Sequence, residues 1–374
     1  MLSNNTIQIQ EVTDKRQLVD FIKFPLTLHK DDPFFTPELT HDLKEHFSAE
    51  KNPFFKHADV KYFLALRDNT YVGRIASIVN RRHLEFHNDG VGFFGFYDSI
   101  DDKSVTTALL DTVAVQLKSH GLSVMRGPMN FSTNEECGFV IKGFEYPPVL
   151  MTPHNPPYYI ELMESNGMSK SKDLYAYITD IPEALPEKVE RVAQIAEKSG
   201  VYVTKVDKRH FYEELAKFKE VYNSAWEKNW GFIPLTDDEL LYLGKRLKQV
   251  VEPDTALVAS KNGEPIGFLG LIPDFNIVLR KMKGKLNPLT IAKALYYSRK
   301  VKGTRLLLLG IKAGYRNRGV DALLFREGFK GCRKHGFTSV EFSWILEDNL
   351  PVQMLVKMIG GSLYKTFRIF EKPI

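Results

Sequence analysis

Residues 315 to 322 read Tyr-Arg-Asn-Arg-Gly-Val-Asp-Ala, and this stretch decides how the second half of the chain folds. An almost unbroken apolar run, Leu306 to Ile311, precedes it and predicts a buried strand. The residues after it share one helical face: Val320, Leu323, Leu324, Gly328 and Cys332. A strand, a tight basic turn and a helix start in this order bring free backbone N–H groups and the positive end of a helix dipole together. Arg316 and Arg318 add charge, and Gly319 permits close approach because it lacks a Cβ, so we expect a site for an anion such as a pyrophosphate.

Length and composition set the outer bounds. A chain of 374 residues, 43% of them hydrophobic, favours two domains over one. Its formal charge of +5 is small for this length and does not by itself imply nucleic acid. The two cysteines, Cys137 and Cys332, have no metal or redox spacing. Met1 to Thr6 lack the pattern of a signal peptide, and no apolar run approaches a membrane span, so we expect a reduced, cytoplasmic protein.

The first half of the chain has an element pattern that we predict as βααβββαβαβ. Thr36, Pro37 and Glu38 predict the start of the second helix, and Asp68-Asn69 predicts the turn of a hairpin. The predicted elements are a strand at 6–12, a helix at 14–28, a hairpin at 60–80, a strand at 91–97, a helix at 105–117, a strand at 122–126, a helix at 157–164 and a strand at 174–179.

The second half repeats this order. Asn262-Gly263 is the strongest short turn signal in the chain and predicts a hairpin over 256–272. The other predicted elements are a strand at 202–206, helices at 211–222 and 237–248, a strand at 305–311, a helix at 321–335, a strand at 339–345, a helix at 351–358 and a strand at 362–370. Two copies of one α/β unit account for the length, with a boundary near Ile181 to Pro186 and a connecting helix at 187–198.

Two motifs resemble the GNAT acyltransferase superfamily. Arg316 to Asp321 resembles the R/Q-x-x-G-x-G/A turn that holds the pyrophosphate of acetyl-CoA, with Asp321 where Gly or Ala is usual. Asn349 to Gly360 resembles the N-x-x-A-x-x-L-Y-x-x-x-G helix, with Val356 in place of the tyrosine often used as general acid. The resemblance implies that an acyl-CoA is bound by these residues: Leu309, Gly310, Ile311, Lys312, Arg316, Asn317, Arg318, Gly319, Val320, Asp321 and Asn349.

The resemblance covers nearly the whole chain. It implies an α/β fold, of the three-layer α+β kind, with two tandem GNAT-like acyl-CoA N-acyltransferase domains and mixed central sheets. We place the domains at residues 1–180 and 181–374. Asn155 to Gly167 echoes the Asn-helix-Gly element in the first copy, but Asp98 to Ser104 lacks glycine and carries three aspartates, which would oppose a pyrophosphate. We therefore expect the C-terminal copy to hold CoA.

Aromatic residues are candidates for the acceptor site. Trp226, Trp230 and Phe232 lie in a region that commonly lines this site in GNAT proteins, and Tyr158 and Tyr159 open the corresponding element of the first copy. The same aromatics would also serve to close a core at a helix end, and the sequence leaves both interpretations open.

Acidic residues and histidines supply the remaining candidates. Glu347 and Asp348, at the end of a predicted strand, are our preferred general bases, ahead of Glu135 and Glu136 in the long loop at 127–155. His83 and His87 have the spacing of metal ligands, but with no third ligand nearby they predict a solvated charged segment, and we expect no metal.

The segment from Pro273 to Gly303 is basic and also carries many apolar residues. Its cations could bind the 3′-phosphate of CoA, an acidic acceptor or a nucleic-acid backbone. The alternative is a solvated helical face whose lysine stems cover apolar surface. With a net charge of +5, a local anion site is favoured over broad nucleic-acid binding.

The resemblance to GNAT proteins implies an acyl-CoA-dependent N-acyltransferase, of the acetyltransferase type, that acts on a small-molecule or peptide amine. We expect no membrane partner, and nucleic acid is disfavoured. Two alternatives stay open: a non-catalytic GNAT-like binding protein, and a relative of the Fem-type transferases, which use aminoacyl-tRNA. The sequence does not identify the acceptor, the acyl chain or the oligomeric state.

Overall fold

The structure is a computed structural model that describes residues 6–227 and 229–374. The expectation about Met1 to Thr6 therefore lies almost wholly outside the described residues. The strands are β1 Gln8–Glu11, β2 Ala58–Arg67, β3 Thr70–Asn80, β4 Val91–Ser99, β5 Val124–Gly127, β6 Phe139–Lys142, β7 Ser169–Asp180, β8 Val201–Lys205, β9 Ala256–Lys261, β10 Glu264–Pro273, β11 Gly303–Ile311, β12 Ser339–Leu346 and β13 Ser362–Pro373. The helices are α1 Lys15–Leu28, α2 Thr40–His46, α3 Arg81–His87, α4 Lys103–Ser119, α5 Tyr158–Ser165, α6 Glu187–Lys198, α7 Phe211–Trp226, α8 Asp237–Lys248, α9 Asn276–Met282, α10 Pro288–Ser298, α11 Val320–Lys334 and α12 Leu350–Met358.

The chain forms two compact units, and each unit draws on separate stretches of sequence. Unit 1 takes the chain up to Leu174 together with Asn276–Tyr297 and Lys365–Ile374. Unit 2 takes Tyr175–Phe275 and Ser298–Tyr364.

Each unit has a mixed sheet of the same pattern. In unit 1 the strand order is β1-β2-β3-β4-β5-β13, with β6 beside β13; in unit 2 it is β7-β12-β11-β10-β9-β8. Three successive antiparallel pairs are followed by one parallel pair in both, β4 with β5 in unit 1 and β11 with β12 in unit 2. The predicted α/β class with mixed sheets and a repeated element order is confirmed.

Turn chemistry explains the two hairpins. Asp68 and Asn69, with φ of 48° and 60°, join β2 to β3, and Asn262 and Gly263, with φ of 52° and 84°, join β9 to β10. Two-residue hairpin turns with both residues at positive φ match the twist of the flanking strands, so both turn predictions are confirmed.

Three local predictions are wrong. Helix α2 begins at Thr40 rather than near Thr36, because the Thr36 hydroxyl donates to the Phe34 carbonyl, 3.0 Å away, instead of capping a helix. The loop at 127–155 contains a short strand, β6, which pairs with β13. His83 is buried rather than solvated: it lies on α3, and its Nε2 is 3.1 Å from the Asp89 carboxylate.

Each unit has its own apolar core. In unit 1, α4 and α5 pack on the sheet through side chains such as Leu109, Val113 and Met163. In unit 2, α7 packs through Phe218, Val221 and Tyr222 against Val258 and Phe268 of the sheet. Among the described residues, no helix is both long and apolar enough to cross a bilayer.

Candidate active site

The two central strands of unit 2 run side by side for only part of their length. β11 and β12 pair in parallel from Gly303 opposite Ser339 to Leu306 opposite Phe342, although β11 continues to Ile311 and β12 to Leu346. The register of β11 against β10 shifts at the same point, which makes Leu307 an extra, bulged residue. Because a bulge bends its strand, β11 parts from β12 at Leu307 and leaves a gap between the two strand ends.

A buried arginine closes the base of this gap. Arg305 is 1% exposed, its Nε donates to the Ser343 hydroxyl at 2.9 Å and its Nη2 to the Ser343 carbonyl at 3.3 Å. Ser343 is the residue just beyond the last strand pair. The Arg305 side chain therefore satisfies a carbonyl that has left the regular ladder, and the indole of Trp344 lies 4.9 Å from its guanidinium carbon.

The same cluster holds a buried carboxylate. Glu341 accepts from the Ser343 hydroxyl at 2.5 Å and from the hydroxyl of Tyr364. Buried carboxylates are stable only when hydrogen-bonded or paired, and these bonds tie β12 to Arg305 through Ser343. The cluster fixes where the strands part.

Backbone groups and half-buried leucines line the gap. The N–H of Lys312 donates to the Ile266 carbonyl of β10 at 2.9 Å. Since backbone groups alternate along an antiparallel edge, those of Leu309 and Ile311 point the other way, toward the gap. Leu307, Leu308 and Leu309 are only half-buried although β11 has a strand on both sides, which is the behaviour of a strand that borders a cleft.

The stretch after β11 has the predicted strand, turn and helix order. Gly319 is the first residue outside α11, in the left-handed region at φ 78°. A Cβ built on it would lie 2.4 Å from the carbonyl oxygen of Val192 on α6. Gly319 is thus required by its φ and by the packing of α6, in addition to any role toward a ligand.

The charges around the turn are distributed unevenly. Arg316 is exposed, but its guanidinium is held by the chain: Nη2 donates to the Ala225 carbonyl at 2.6 Å and Nε to the Ile311 carbonyl at 3.3 Å. Lys312 is paired with Glu220. Arg318 is exposed beside the ring of Tyr315, 5.9 Å from its centroid, and is the best-placed cation for an incoming anion.

The start of α11 offers donors to an anion, with one of them already used. Gly319 has no side chain with which to cap the helix, and the first N–H groups of a helix have no partner within it. Asp321 accepts from the N–H of Ala322 at 2.9 Å, so its carboxylate occupies that donor. Val320 and Asp321 are the first two residues of α11, so their N–H groups are the donors that a helix start offers to an anion.

The predicted bases lie at the far end of β12. Asp348 is exposed, whereas Glu347 is half-buried. The Nε2 of Gln353 donates to the Glu347 carbonyl at 2.9 Å and so holds that backbone in place. Asn349 caps α12 by accepting from the Val352 N–H, which gives it a structural task beside the predicted one. Val356, in the position of the usual tyrosine, is fully buried.

The aromatic candidates of unit 2 were predicted either to line the acceptor site or to close the core at a helix end, and they differ in this respect. Trp226 is partly buried against the core of unit 2 and touches β11, where a Cβ on Gly310 would be 2.3 Å from its ring. Phe232 is buried in the core, 5.4 Å from the ring of Tyr222. Trp230 is half-buried in the segment between α7 and α8. Trp226 and Trp230 therefore remain acceptor candidates, while Phe232 has a core position.

Unit 1 repeats the parting strands but fills the gap with its own chain. β4 and β5 pair only as far as Phe93 opposite Arg126. Beyond that point the N–H of Met129 donates to the Phe94 carbonyl at 2.8 Å, and the Asn130 side chain accepts from the Phe96 N–H at 2.7 Å. The two units thus share a geometry, and in unit 1 the space between the strands is taken.

The strand-to-helix turn of unit 1 is closed as well. Asp102 caps α4 by accepting from the Ser104 N–H at 2.8 Å and pairs with Arg67. The hydrogen bond from the Ser104 side chain is the largest cause that lowers the pKa of Asp102 to about 2, and the bonds from Arg67 and the Ser104 N–H add to it against the opposing effect of burial. A carboxylate therefore stands where the turn of unit 2 has a bare glycine.

Tyr158 and Tyr159 anchor the end of β4. The Tyr159 hydroxyl accepts from the Ser99 N–H at 3.0 Å, and its ring is fully buried in the core of unit 1. The Tyr158 hydroxyl donates to the Ser99 carbonyl at 2.8 Å. Both hydroxyls are bound to the chain itself, which gives this pair a structural role in unit 1.

A buried ionic cluster in unit 1 was not predicted. Asp98 contacts Arg74 at 2.7 Å and His29 at 2.8 Å. Burial alone would raise the pKa of Asp98, but the charge of Arg74 and the hydrogen bond from His29 outweigh it and hold that pKa below its ordinary value. Among the described residues, no group of three or more His, Cys, Asp or Glu side chains has the arrangement of a metal site.

Arg305 and Glu341 are not among the predicted site residues, although the sequence contains a pattern that indicates them. Arg305 directly precedes the run Leu306–Leu309, and Glu341 stands between Val340 and Phe342. A single charged residue inside an otherwise apolar strand must find a buried partner, so two such strands predict a cluster.

Comparison with known proteins agrees with this geometry. No protein-family model matches the sequence. The chain is 33% identical over 375 residues to Protein YghO of Escherichia coli (strain K12), covering 98% of this chain and 95% of that protein. It is 32% identical over 381 residues to the bacterial ceramide synthase of Caulobacter vibrioides (strain NA1000 / CB15N), covering 100% and 99%. A solved tandem GNAT protein from the clavulanic acid biosynthesis pathway has the same fold, with a TM-score of 0.57 at 11% identity and 98% coverage of each chain.

Proposed function

The chain belongs to the same protein family as Protein YghO and the bacterial ceramide synthase, and we propose that it is an acyl-CoA-dependent N-acyltransferase. The fold is that of GNAT acyltransferases. One observation supports the activity above all others: β11 and β12 stop pairing after Leu306 and Phe342 in unit 2, whereas in unit 1 Met129 and Asn130 bond across the parted strands.

The groups around the gap fit an extended amide chain that ends in a pyrophosphate. The backbone of Leu309 and Ile311 can pair with the amides of a pantetheine arm as a neighbouring strand would. The N–H groups of Val320 and Asp321 and the guanidinium of Arg318 suit the pyrophosphate. Asp321 lowers the positive potential there, so we expect moderate rather than tight binding.

The reaction requires a base that accepts the amine proton and a hydrogen-bond donor to the thioester carbonyl. The acceptor amine forms a C–N bond to the acyl carbon as the C–S bond breaks and the sulfur leaves as thiolate. A backbone N–H of β11 facing the gap, that of Leu309 or Ile311, would stabilise the developing oxyanion. Glu347 takes the amine proton in this proposal, because its backbone is held by Gln353 and it is half-buried, whereas Asp348 is exposed.

The acceptor is proposed to be an amine on a long apolar chain. A ceramide is the amide of a fatty acid with a long-chain amino alcohol, and one relative is a ceramide synthase. Helix α12, which follows Glu347, carries exposed apolar residues at a spacing of four, Leu350, Met354 and Met358. A stripe of this kind would guide an apolar chain, and Trp226 and Trp230 are the proposed aromatic lining.

The test is release of free CoA thiol. Purified protein is incubated with acetyl-CoA or palmitoyl-CoA and a panel of amines that includes long-chain amino alcohols, short amines and peptides. We expect thiol release that depends on both substrates. Glu347→Gln should lower kcat by about 100-fold or more with the KM for acyl-CoA within about twofold, since it removes a base without changing binding.

Asp348→Asn is the matched control, and its kcat should stay close to the wild-type value. Binding of acyl-CoA without turnover on any amine would favour the non-catalytic alternative. Equal losses in the two variants would contradict the role proposed for Glu347.

A further inference from the structure

The segment that contains α9 and α10 has a one-sided charge. No Asp or Glu occurs from Phe275 to Val320. Cations are frequent in the part of this segment that belongs to unit 1: Arg280, Lys281, Lys283, Lys285 and Lys293. Since the whole chain carries only +5, this segment concentrates positive charge that is balanced by acids elsewhere.

Helix α10 exposes its apolar residues. The exposed fractions are 54% for Leu286, just before the helix, and 67% for Leu289, 44% for Ile291, 66% for Leu295 and 57% for Tyr296. Leu289, Ala292 and Tyr296 are spaced i, i+3, i+7, and Ile291 and Leu295 are spaced i, i+4, so these residues form one continuous outer face. Thr290 is the buried residue of α10. A surface helix ordinarily has its apolar face inward, and α10 is reversed.

The segment is held firmly to unit 1. Val278 and Met282 of α9 are buried, and the Asn276 side chain donates to the Pro148 carbonyl at 2.9 Å. After α9, the Gly284 carbonyl accepts from the Thr40 N–H at 3.0 Å. The start of α10 is fixed by reciprocal bonds between Asn287 and Thr290. The apolar face is therefore presented on an ordered support.

We propose that α10 and the lysines beside it dock unit 1 on an anionic phospholipid surface. An apolar helix face flanked by cations lies in the plane of a membrane interface, with its aliphatic side chains at the acyl boundary and its lysines among the headgroups. Charge complementarity selects the occupant: the segment has no acid to repel a negative surface. A nucleic acid would use the cations but would leave Leu289, Ile291 and Leu295 exposed to water.

The test is flotation of the full-length protein with lipid vesicles. Wild type should bind vesicles that contain phosphatidylglycerol as about a third of the lipid and bind pure phosphatidylcholine vesicles at least tenfold more weakly, with loss of binding in high salt. Two variants separate the contributions. Leu289→Ser with Leu295→Ser removes apolar surface, and Lys283→Gln with Lys285→Gln removes charge; each should weaken binding by about tenfold or more.

Matched controls come from α4 of the same unit. Val115 is 63% exposed, and Lys103 and Lys118 are exposed; Val115→Ser and the double change Lys103→Gln with Lys118→Gln should bind vesicles like the wild type. Circular dichroism of every variant confirms that folding is unchanged. Equal binding by wild type and both α10-region variants would overturn the proposal. Binding of wild type to a duplex RNA of the same charge density but not to anionic vesicles would overturn it in favour of nucleic acid.

Discussion

At the base of the gap, the Arg305 side chain makes a hydrogen bond of the kind that a neighbouring strand makes elsewhere in the sheet. Where β11 and β12 part, a β12 carbonyl would lose its partner, and the Nη2 of Arg305 supplies one to Ser343 instead. The Nε holds the Ser343 hydroxyl, which in turn donates to Glu341. One buried side chain thus allows two central strands to separate without leaving polar groups unsatisfied.

Replacing Arg305 by Met should destabilise unit 2. The Ser343 carbonyl would be buried without its donor, and the Ser343 hydroxyl would lose the donor that orients it toward Glu341, for a cost of about 3 kcal/mol in unfolding free energy. The three tryptophans, Trp226, Trp230 and Trp344, all belong to unit 2, so urea unfolding followed by tryptophan emission reports on this unit. Arg209→Met, which removes an exposed arginine paired with Asp207, is the control and should change little. An unchanged midpoint for Arg305→Met would contradict this account of the gap.

His83 makes unit 1 sensitive to mild acid. Burial lowers the pKa of His83 to about 4, against the opposing effect of the Asp89 carboxylate. An unfolded chain takes up this proton near pH 6.5, so between pH 6.5 and 4 the unfolded state binds more protons and stability falls as pH falls. At pH 5 the loss relative to pH 7 should be about 2 kcal/mol.

An NMR titration of the imidazole resonance, assigned by its absence in His83→Gln, measures this pKa directly. The midpoint should lie near 4, and His83→Gln should show a weaker loss of stability between pH 7 and 5. A midpoint near 6.5 would mean that His83 is solvated in the folded protein.

At the scale of elements, the strand–turn–helix of unit 2 combines a structural glycine with a free arginine. Gly319 adopts φ 78° against the Val192 carbonyl, so even Gly319→Ala should destabilise unit 2 and weaken acyl-CoA binding only as a consequence. Gly319 is therefore a poor probe of the anion site.

Arg318→Ala is the sharper probe. Its side chain is exposed and packs only loosely beside Tyr315, so the folded state should keep its stability. Affinity for CoA, measured by calorimetric titration, should fall by about tenfold, since a charge-assisted bond to phosphate is lost. Arg191→Ala, an exposed arginine on α6 paired with Glu187, is the control. Equal affinities of Arg318→Ala and wild type for CoA would show that Arg318 and its turn do not contribute to CoA binding.

The element scale also separates what the sequence predicts from what it does not. Local physics decides three of the predicted features. The apolar run before residue 312 predicts a strand, Gly319 predicts a turn, and Asn262-Gly263 predicts a hairpin. The parting of β11 from β12 depends on the register of three strands and on a bulge at Leu307, and no single segment encodes that register. The burial of Tyr159 could not be predicted for the same reason, because it depends on a partner, Ser99, that is far away in sequence.

At the scale of the whole molecule, the two units repeat one arrangement of strands and differ in how the parted strand pair is bonded. Both contain a parallel strand pair that parts, but Met129 and Asn130 bond across the gap in unit 1. The helix that follows is capped by Asp102 in unit 1 and begins at a bare glycine in unit 2. This asymmetry supports a single acyl-CoA site in unit 2.

Chain organisation at this scale was harder to predict. The residues from Lys365 onward and the segment Asn276–Tyr297 belong to unit 1, although both follow the first stretch of unit 2 in sequence. A repeat in element order carries no information about which copy such segments join. The boundary at residues 180 and 181, the general base and the cytoplasmic location stay predictions.

Hydrogen–deuterium exchange with and without acetyl-CoA tests the central claim most directly, because one experiment compares both copies in the same protein. The account predicts slower exchange on ligand addition in peptides covering residues 307–322 of unit 2, where backbone N–H groups face the gap and the turn. Peptides covering residues 94–104 of unit 1, where the corresponding groups are already bonded, should be unchanged. Protection of residues 94–104, or binding without protection of 307–322, would contradict it.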